Sequence, residues 1–60
     1  MFKIFTNYDE LLKEGLFVLG SEAKNNIDLA LSKYGKLYYS ASMLSVYTEN
    51  REFISELWFS

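Results

Sequence analysis

The sequence predicts an α+β fold in which a small antiparallel sheet packs against one main helix. Three observations lead to this prediction. An apolar stripe at helical spacing covers about residues 21–34, aromatic residues with Ser, Thr and Val dominate 36–48, and a second apolar segment, 53–59, follows a polar break. The chain has 60 residues, of which 50% are hydrophobic, so we expect residues 1–60 to form one domain around a single core.

The N-terminal segment predicts a short strand followed by a short helix. Phe2 and Ile4 alternate with a lysine, which is typical of a brief strand, and this strand is expected to end at Thr6. Apolar residues then recur at spacings of three and four, with acidic residues in the first turn. This pattern predicts a helix over about residues 8–14, which Gly15 ends.

Two glycines enclose the apolar run at residues 16–19, which we interpret as a strand or an extended link. The main helix follows, with Ser21 as the predicted N-cap and Gly35 after its end. Its apolar stripe consists of Ala23, Ile27, Ala30, Leu31 and Tyr34.

The segment 36–48 predicts one long strand, and 53–59 predicts its antiparallel hairpin partner. In such a strand one face would carry Leu37, Tyr39, Ala41, Met43 and Tyr47, and the other Tyr38, Leu44 and Val46. A C-terminal helix remains the alternative for 49–59, because Phe53, Ile54, Leu57 and Trp58 also form a stripe at helical spacing.

The residue types argue against an enzyme, a cofactor and a metal site. The chain has no His and no Cys, so it lacks the usual acid-base group near neutral pH and any thiolate nucleophile or ligand. The serines have no His to activate them. The carboxylates lack the spacing of a calcium loop, and the three glycines are too far apart for a phosphate-binding loop.

Charge and hydropathy argue against two classes of partner, nucleic acids and membranes. The net charge of -2 disfavours binding of nucleic acid by bulk charge. The longest apolar run, Leu16 to Leu19, is far short of the roughly 20 residues that span a bilayer, so we expect no membrane insertion. Without cysteines or a signal-peptide pattern, the chain is expected to be cytoplasmic.

Aromatic residues crowd the C-terminal half and provide the candidate site. Tyr, Trp and Arg dominate protein interfaces, so we expect a protein partner and, because the aromatics exceed what a small core needs, homo-oligomerisation. The candidate partner-binding residues are Tyr38, Tyr39, Tyr47, Arg51, Trp58 and Phe59. The alternative is a single-stranded nucleic-acid binder in which a Tyr-rich sheet acts with Lys33, Lys36 and Arg51.

No motif identifies a family. In size and in its abundance of Lys, Asn, Tyr, Ile and Phe, the chain resembles the small accessory proteins of phages and mobile elements of AT-rich bacteria. This resemblance implies a stoichiometric inhibitor or regulator of a larger host protein, such as a nuclease or a CRISPR effector.

Overall fold

Eight elements follow one another in the computed structural model, which describes residues 1–60. They are β1 (Lys3–Phe5), α1 (Tyr8–Lys13), β2 (Leu16–Phe17), α2 (Ser21–Tyr34), β3 (Leu37–Ser40), β4 (Ser45–Tyr47), β5 (Phe53–Glu56) and β6 (Trp58–Phe59). The predicted α+β class, the short N-terminal strand and helix, the extended segment after Gly15 and the main helix are confirmed.

The strands form two antiparallel sheets. One has four strands in the order β1-β3-β4-β5, and the other pairs β2 with β6. The main helix, α2, packs against β3 and β5 on one face of the larger sheet. Neither helix is long and apolar enough to cross a membrane.

The start of α1 is fixed by its capping residues. The Asn7 side chain accepts a hydrogen bond from the Glu10 backbone N–H at 3.2 Å, and the Glu10 carboxylate accepts from the Thr6 N–H and hydroxyl at 2.9 and 3.1 Å. These bonds satisfy backbone donors that a helix start leaves free. They also hold the end of β1 against the helix that follows it.

The ends of α2 differ in one respect from the prediction. The N-cap is Gly20 and not Ser21, which is the first helical residue, because the chain enters the helix at a φ of 89° that only glycine adopts easily. At the other end Gly35 takes the left-handed conformation, and its N–H donates to the Leu31 carbonyl at 2.8 Å.

Both sheets and both helices contribute to one core. Phe5 and Tyr39 meet edge to face in it, with ring centroids 5.7 Å apart. The buried cluster comprises ten residues: Phe5, Leu11, Leu16, Val18, Ile27, Ala30, Leu37, Tyr39, Val46 and Leu57.

The prediction of one long strand over 36–48 is wrong. The segment forms two strands, β3 and β4, joined by a turn over residues 41–44. The Ser40 hydroxyl accepts from the Met43 N–H at 3.2 Å, and Leu44 takes a φ of 52°. A serine side chain thus supplies turn chemistry that Gly, Asn or Pro usually supplies.

This turn changes which side chains share a face. Tyr39 lies opposite Val46 in the ladder and both are buried, whereas Tyr38 lies opposite Tyr47. Directly paired residues point to the same side of a sheet. The predicted common face of Tyr39 and Tyr47 is therefore wrong, and Val46 shares its face with Tyr39 and not, as predicted, with Tyr38.

The hairpin prediction for the C-terminal segment is confirmed, and the alternative of a helix over 49–59 is wrong, because β5 pairs antiparallel with β4. The segment 53–59 is nevertheless not one strand. At the buried Leu57, whose N–H donates to the Leu44 carbonyl at 2.7 Å, the chain leaves the larger sheet. It then continues as β6, which pairs with β2 in the smaller sheet.

Candidate protein-binding surface

The face of the larger sheet opposite α2 carries a group of large apolar side chains. Ile4 is paired with Tyr38, Tyr38 with Tyr47, and Tyr47 with Phe53, so the register brings these four side chains to one side. The Phe2 ring joins them by contact with Tyr47. We call this group, Phe2, Ile4, Tyr38, Tyr47 and Phe53, the aromatic face.

Tyr47 lies at the centre of the aromatic face. Its ring meets Phe2 edge to face at 5.5 Å between centroids and Phe53 in the same manner at 5.9 Å. The two tyrosines are half-buried by their neighbours, whereas Ile4 and Phe53 are 54% and 57% exposed. Contiguous exposed apolar groups of this kind mark interaction sites on small proteins.

A pocket of about 230 Å³ opens where the aromatic face meets the loop between β4 and β5. Its walls are the rings of Phe2, Tyr38 and Tyr47 and the loop residues Thr48, Glu49 and Arg51. This volume is smaller than the roughly 300 Å³ at which small-molecule sites begin, so it suits a single side chain of a partner. Arg51 and Glu49 contribute one charge of each sign to its lining.

The structure brings together three of the six predicted partner-binding residues. Tyr38, Tyr47 and Arg51 line the same pocket. Tyr39, by contrast, is 5% exposed in the core, so its placement on an interface is corrected. Trp58 and Phe59 lie on the smaller sheet and do not line this pocket.

Trp58 belongs to a second apolar surface beside the edge strand β5. A groove of about 460 Å³ lies there, and its walls include Leu19, Ala23, Ile54 and Trp58. Leu19 and Trp58 are each about half exposed. The groove therefore presents apolar side chains beside a strand that has a neighbour on one side only.

Three members of the aromatic face were missed as site residues. The sequence predicts strands that contain Phe2, Ile4 and Phe53, and the alternation of Phe2 with Ile4 indicates a shared face. That alternation does not tell which face the helix covers. The covered face follows from the position of α2, which depends on the whole fold.

The two lysines of the nucleic-acid alternative, Lys33 and Lys36, do not line the pocket. Lys33 sits over the Tyr34 ring at 5.1 Å on α2, and Lys36 lies in the link to β3. No group of three or more carboxylate, His or Cys side chains converges so as to hold a metal ion.

No protein-family model, curated protein or solved structure matches the chain.

Proposed function

We propose that this protein is a non-enzymatic, cytoplasmic binding module that occupies a surface on a larger host protein and so inhibits or regulates it. The observation that carries the proposal is the aromatic face, where Phe2, Ile4 and Phe53 stay 39%, 54% and 57% exposed. Each of them forgoes part of the roughly 1.5–3 kcal/mol that full burial of such a side chain provides. A protein partner that covers this face would recover that free energy on binding.

The composition of the site favours a protein over a nucleic acid. Aromatic residues and arginine are enriched in the buried centres of protein interfaces. Binding of single strands also uses stacked rings, but it needs cations along the backbone path. Arg51 is the only cation among the pocket residues, and Glu49 lies beside it.

The hydrogen bonds of the buried serines support a role without catalysis. The Ser40 hydroxyl is fully buried and bonds to the Met43 N–H and to the Ser42 hydroxyl. The Ser55 hydroxyl donates to the Glu56 carbonyl. These groups hold turns and strands in place, and none contacts a base that would activate it.

We further propose that the chain self-associates through the groove beside β5. Edge strands pair readily with a second copy, and β5 contains neither Pro nor Lys, the residues that commonly block such pairing. Trp58→Ser should lower the concentration-dependent mass measured by light scattering, whereas Leu29→Ser on the exposed side of α2 should not. A mass near 7 kDa for the wild type across the micromolar range would contradict self-association.

Site-specific photo-cross-linking tests the host-binding proposal. The photoreactive amino acid p-benzoyl-phenylalanine replaces Ile4 on the aromatic face or, as a matched control, Leu29 on α2, which is 68% exposed. Irradiation of cells that carry the gene should give one protein adduct from position 4 and none from position 29. The adduct partner, once purified, should bind the wild-type protein one to one and bind Tyr47→Ser at least tenfold more weakly.

Three outcomes would contradict the proposal. Equal adducts from positions 4 and 29 would show that the aromatic face has no preferred partner. A nuclease-sensitive adduct would support the single-stranded nucleic-acid alternative, which the rings beside Arg51 favour. An adduct with a second copy of the chain would assign the aromatic face to self-association.

A further inference from the structure

Arg51 occupies a backbone position that suits glycine or asparagine. Its φ is 68°, in the left-handed region that disfavours residues with a Cβ. The loop is held in this shape by hydrogen bonds from the Arg51 N–H to the Thr48 carbonyl, from the Thr48 N–H to the Glu52 carbonyl and from the Glu52 N–H to the Thr48 hydroxyl, at 2.9, 2.9 and 3.1 Å. A turn followed by one left-handed residue is a common hairpin loop, and glycine usually fills that position.

The Arg51 side chain has no partner within the chain. The one ion pair joins Lys24 to Asp28 on α2, and the guanidinium donates no hydrogen bond. Nor does it stack on a ring, since the two cation–π contacts involve Lys24 and Lys33. The strained backbone therefore carries a side chain whose donors are all free beside the pocket.

We propose that the pocket beside Arg51 binds a carboxylate-bearing side chain of the protein partner. The guanidinium presents a planar pair of donors that matches a carboxylate, and the rings of Tyr38 and Tyr47 contact the apolar part of the same partner segment. Glu49 lines the same pocket and repels any anion there, so the carboxylate must contact the Arg51 guanidinium directly in order to bind. The inference rests on the proposed function of the aromatic face and names the chemistry that this face recognises.

Two small probes that differ at one group, a carboxylate or its primary amide, test the assignment by NMR titration. N-acetyl-phenylalanine carries a ring and a carboxylate, and its primary amide carries the same ring without the charge. We expect the carboxylate to bind the wild type at least fivefold more tightly than the amide, with shifts at the Arg51 side chain and the Tyr47 ring. Raising the salt concentration from 20 to 300 mM should reduce this preference.

Matched variants separate the Arg51 contact from bulk charge. Arg51→Gly should abolish the preference for the carboxylate, and glycine suits the left-handed backbone, so this variant is expected to fold. Lys33→Ala removes the same charge from α2 and should retain the preference. Glu49→Gln should strengthen carboxylate binding about two- to threefold at low salt, because it removes a repulsive neighbour.

The outcomes distinguish this inference from the proposed function. Equal binding of carboxylate and amide at the Tyr47 ring would overturn the carboxylate assignment and leave the aromatic face as a docking surface. Tighter binding of phenyl phosphate than of the carboxylate, or an unchanged preference in Arg51→Gly, would also overturn it. The proposed function is tested separately, by the cross-linking from position 4.

Discussion

Replacing Arg51 with glycine is expected to stabilise the protein, which is unusual for a loop substitution. A left-handed backbone costs a residue with a Cβ about 1–2 kcal/mol, and glycine avoids this cost. Glycine loses about 0.5–1 kcal/mol more conformational entropy on folding. The guanidinium has no contact to lose, so the midpoints of these ranges give a net gain of about 0.75 kcal/mol, or roughly 3–6 °C in Tm for a domain of this size.

Thermal unfolding followed by circular dichroism measures this gain, with Arg51→Ala as the matched control. Alanine removes the same side chain but keeps the left-handed strain, so its stability should stay within about 0.5 kcal/mol of the wild type. Leu44→Gly should instead lower the stability, because Leu44 is also left-handed but its side chain packs against the core. If Arg51→Gly melts no higher than Arg51→Ala, the backbone at this position is not strained and the reasoning fails.

Three further substitutions test the fold. Tyr39→Ala should lower the free energy of unfolding in urea by about 2–5 kcal/mol, because the ring is buried. Tyr47→Ala should lower it by about 1–2 kcal/mol, because this ring makes two edge-to-face contacts. Equal losses would contradict the placement of the two rings on opposite faces. Asn7→Ala should lower the stability by about 1 kcal/mol, and Asn7→Asp, which keeps the capping oxygen, should largely preserve it; identical melting curves for the two variants would refute the cap. Gly15→Ala should lower the free energy of unfolding by about 1–2 kcal/mol because of the φ of 77° at this position. A clash is not the cause, since an added Cβ would meet the Phe59 ring at an ordinary 3.5 Å. A higher Tm in this variant would count against the left-handed conformation.

The helices could be predicted from the sequence because their signals are local. Asn7 and the acidic first turn mark the start of α1, and Gly35 marks the end of α2. An amphipathic stripe of 14 residues between two glycines leaves little choice of boundary. The exchange of Gly20 for Ser21 at the N-cap is a one-residue difference, because either residue type serves at a helix start.

The turn at residues 41–44 could not be predicted in the same way. It contains no Gly, Pro, Asn or Asp, and its flanking residues have the composition of a strand. Its shape depends on the Ser40 hydroxyl and on a left-handed Leu44 that the core contact stabilises. One continuous strand without this turn puts Tyr39 on the same face as Tyr47, whereas the turn pairs Tyr39 with Val46.

Only part of the candidate site could be predicted, because the rest depends on strands that pair although they lie far apart in the sequence. Aromatic content and an arginine after a polar break pointed to Tyr38, Tyr47 and Arg51, because those residue types favour interfaces wherever they lie. Phe2 and Ile4 joined them only because β1 pairs with β3, and this pairing brings residues more than thirty positions apart to one sheet. A long-range pairing of this kind leaves no local signal.

We expect the pairing of β2 with β6 to form late in folding, because these two strands lie farther apart in the sequence than any other paired strands. Leu16 and Phe59 lie opposite each other although more than forty residues separate them, so their contact closes about three quarters of the chain into a loop. Closing such a loop has a high entropic cost, and contacts of this range slow folding. During synthesis β6 follows every other element, so the buried Leu16 lacks its strand partner until the end. A chain that ends at Leu57 should therefore remain sensitive to protease, whereas the chain that includes β6 should be protected.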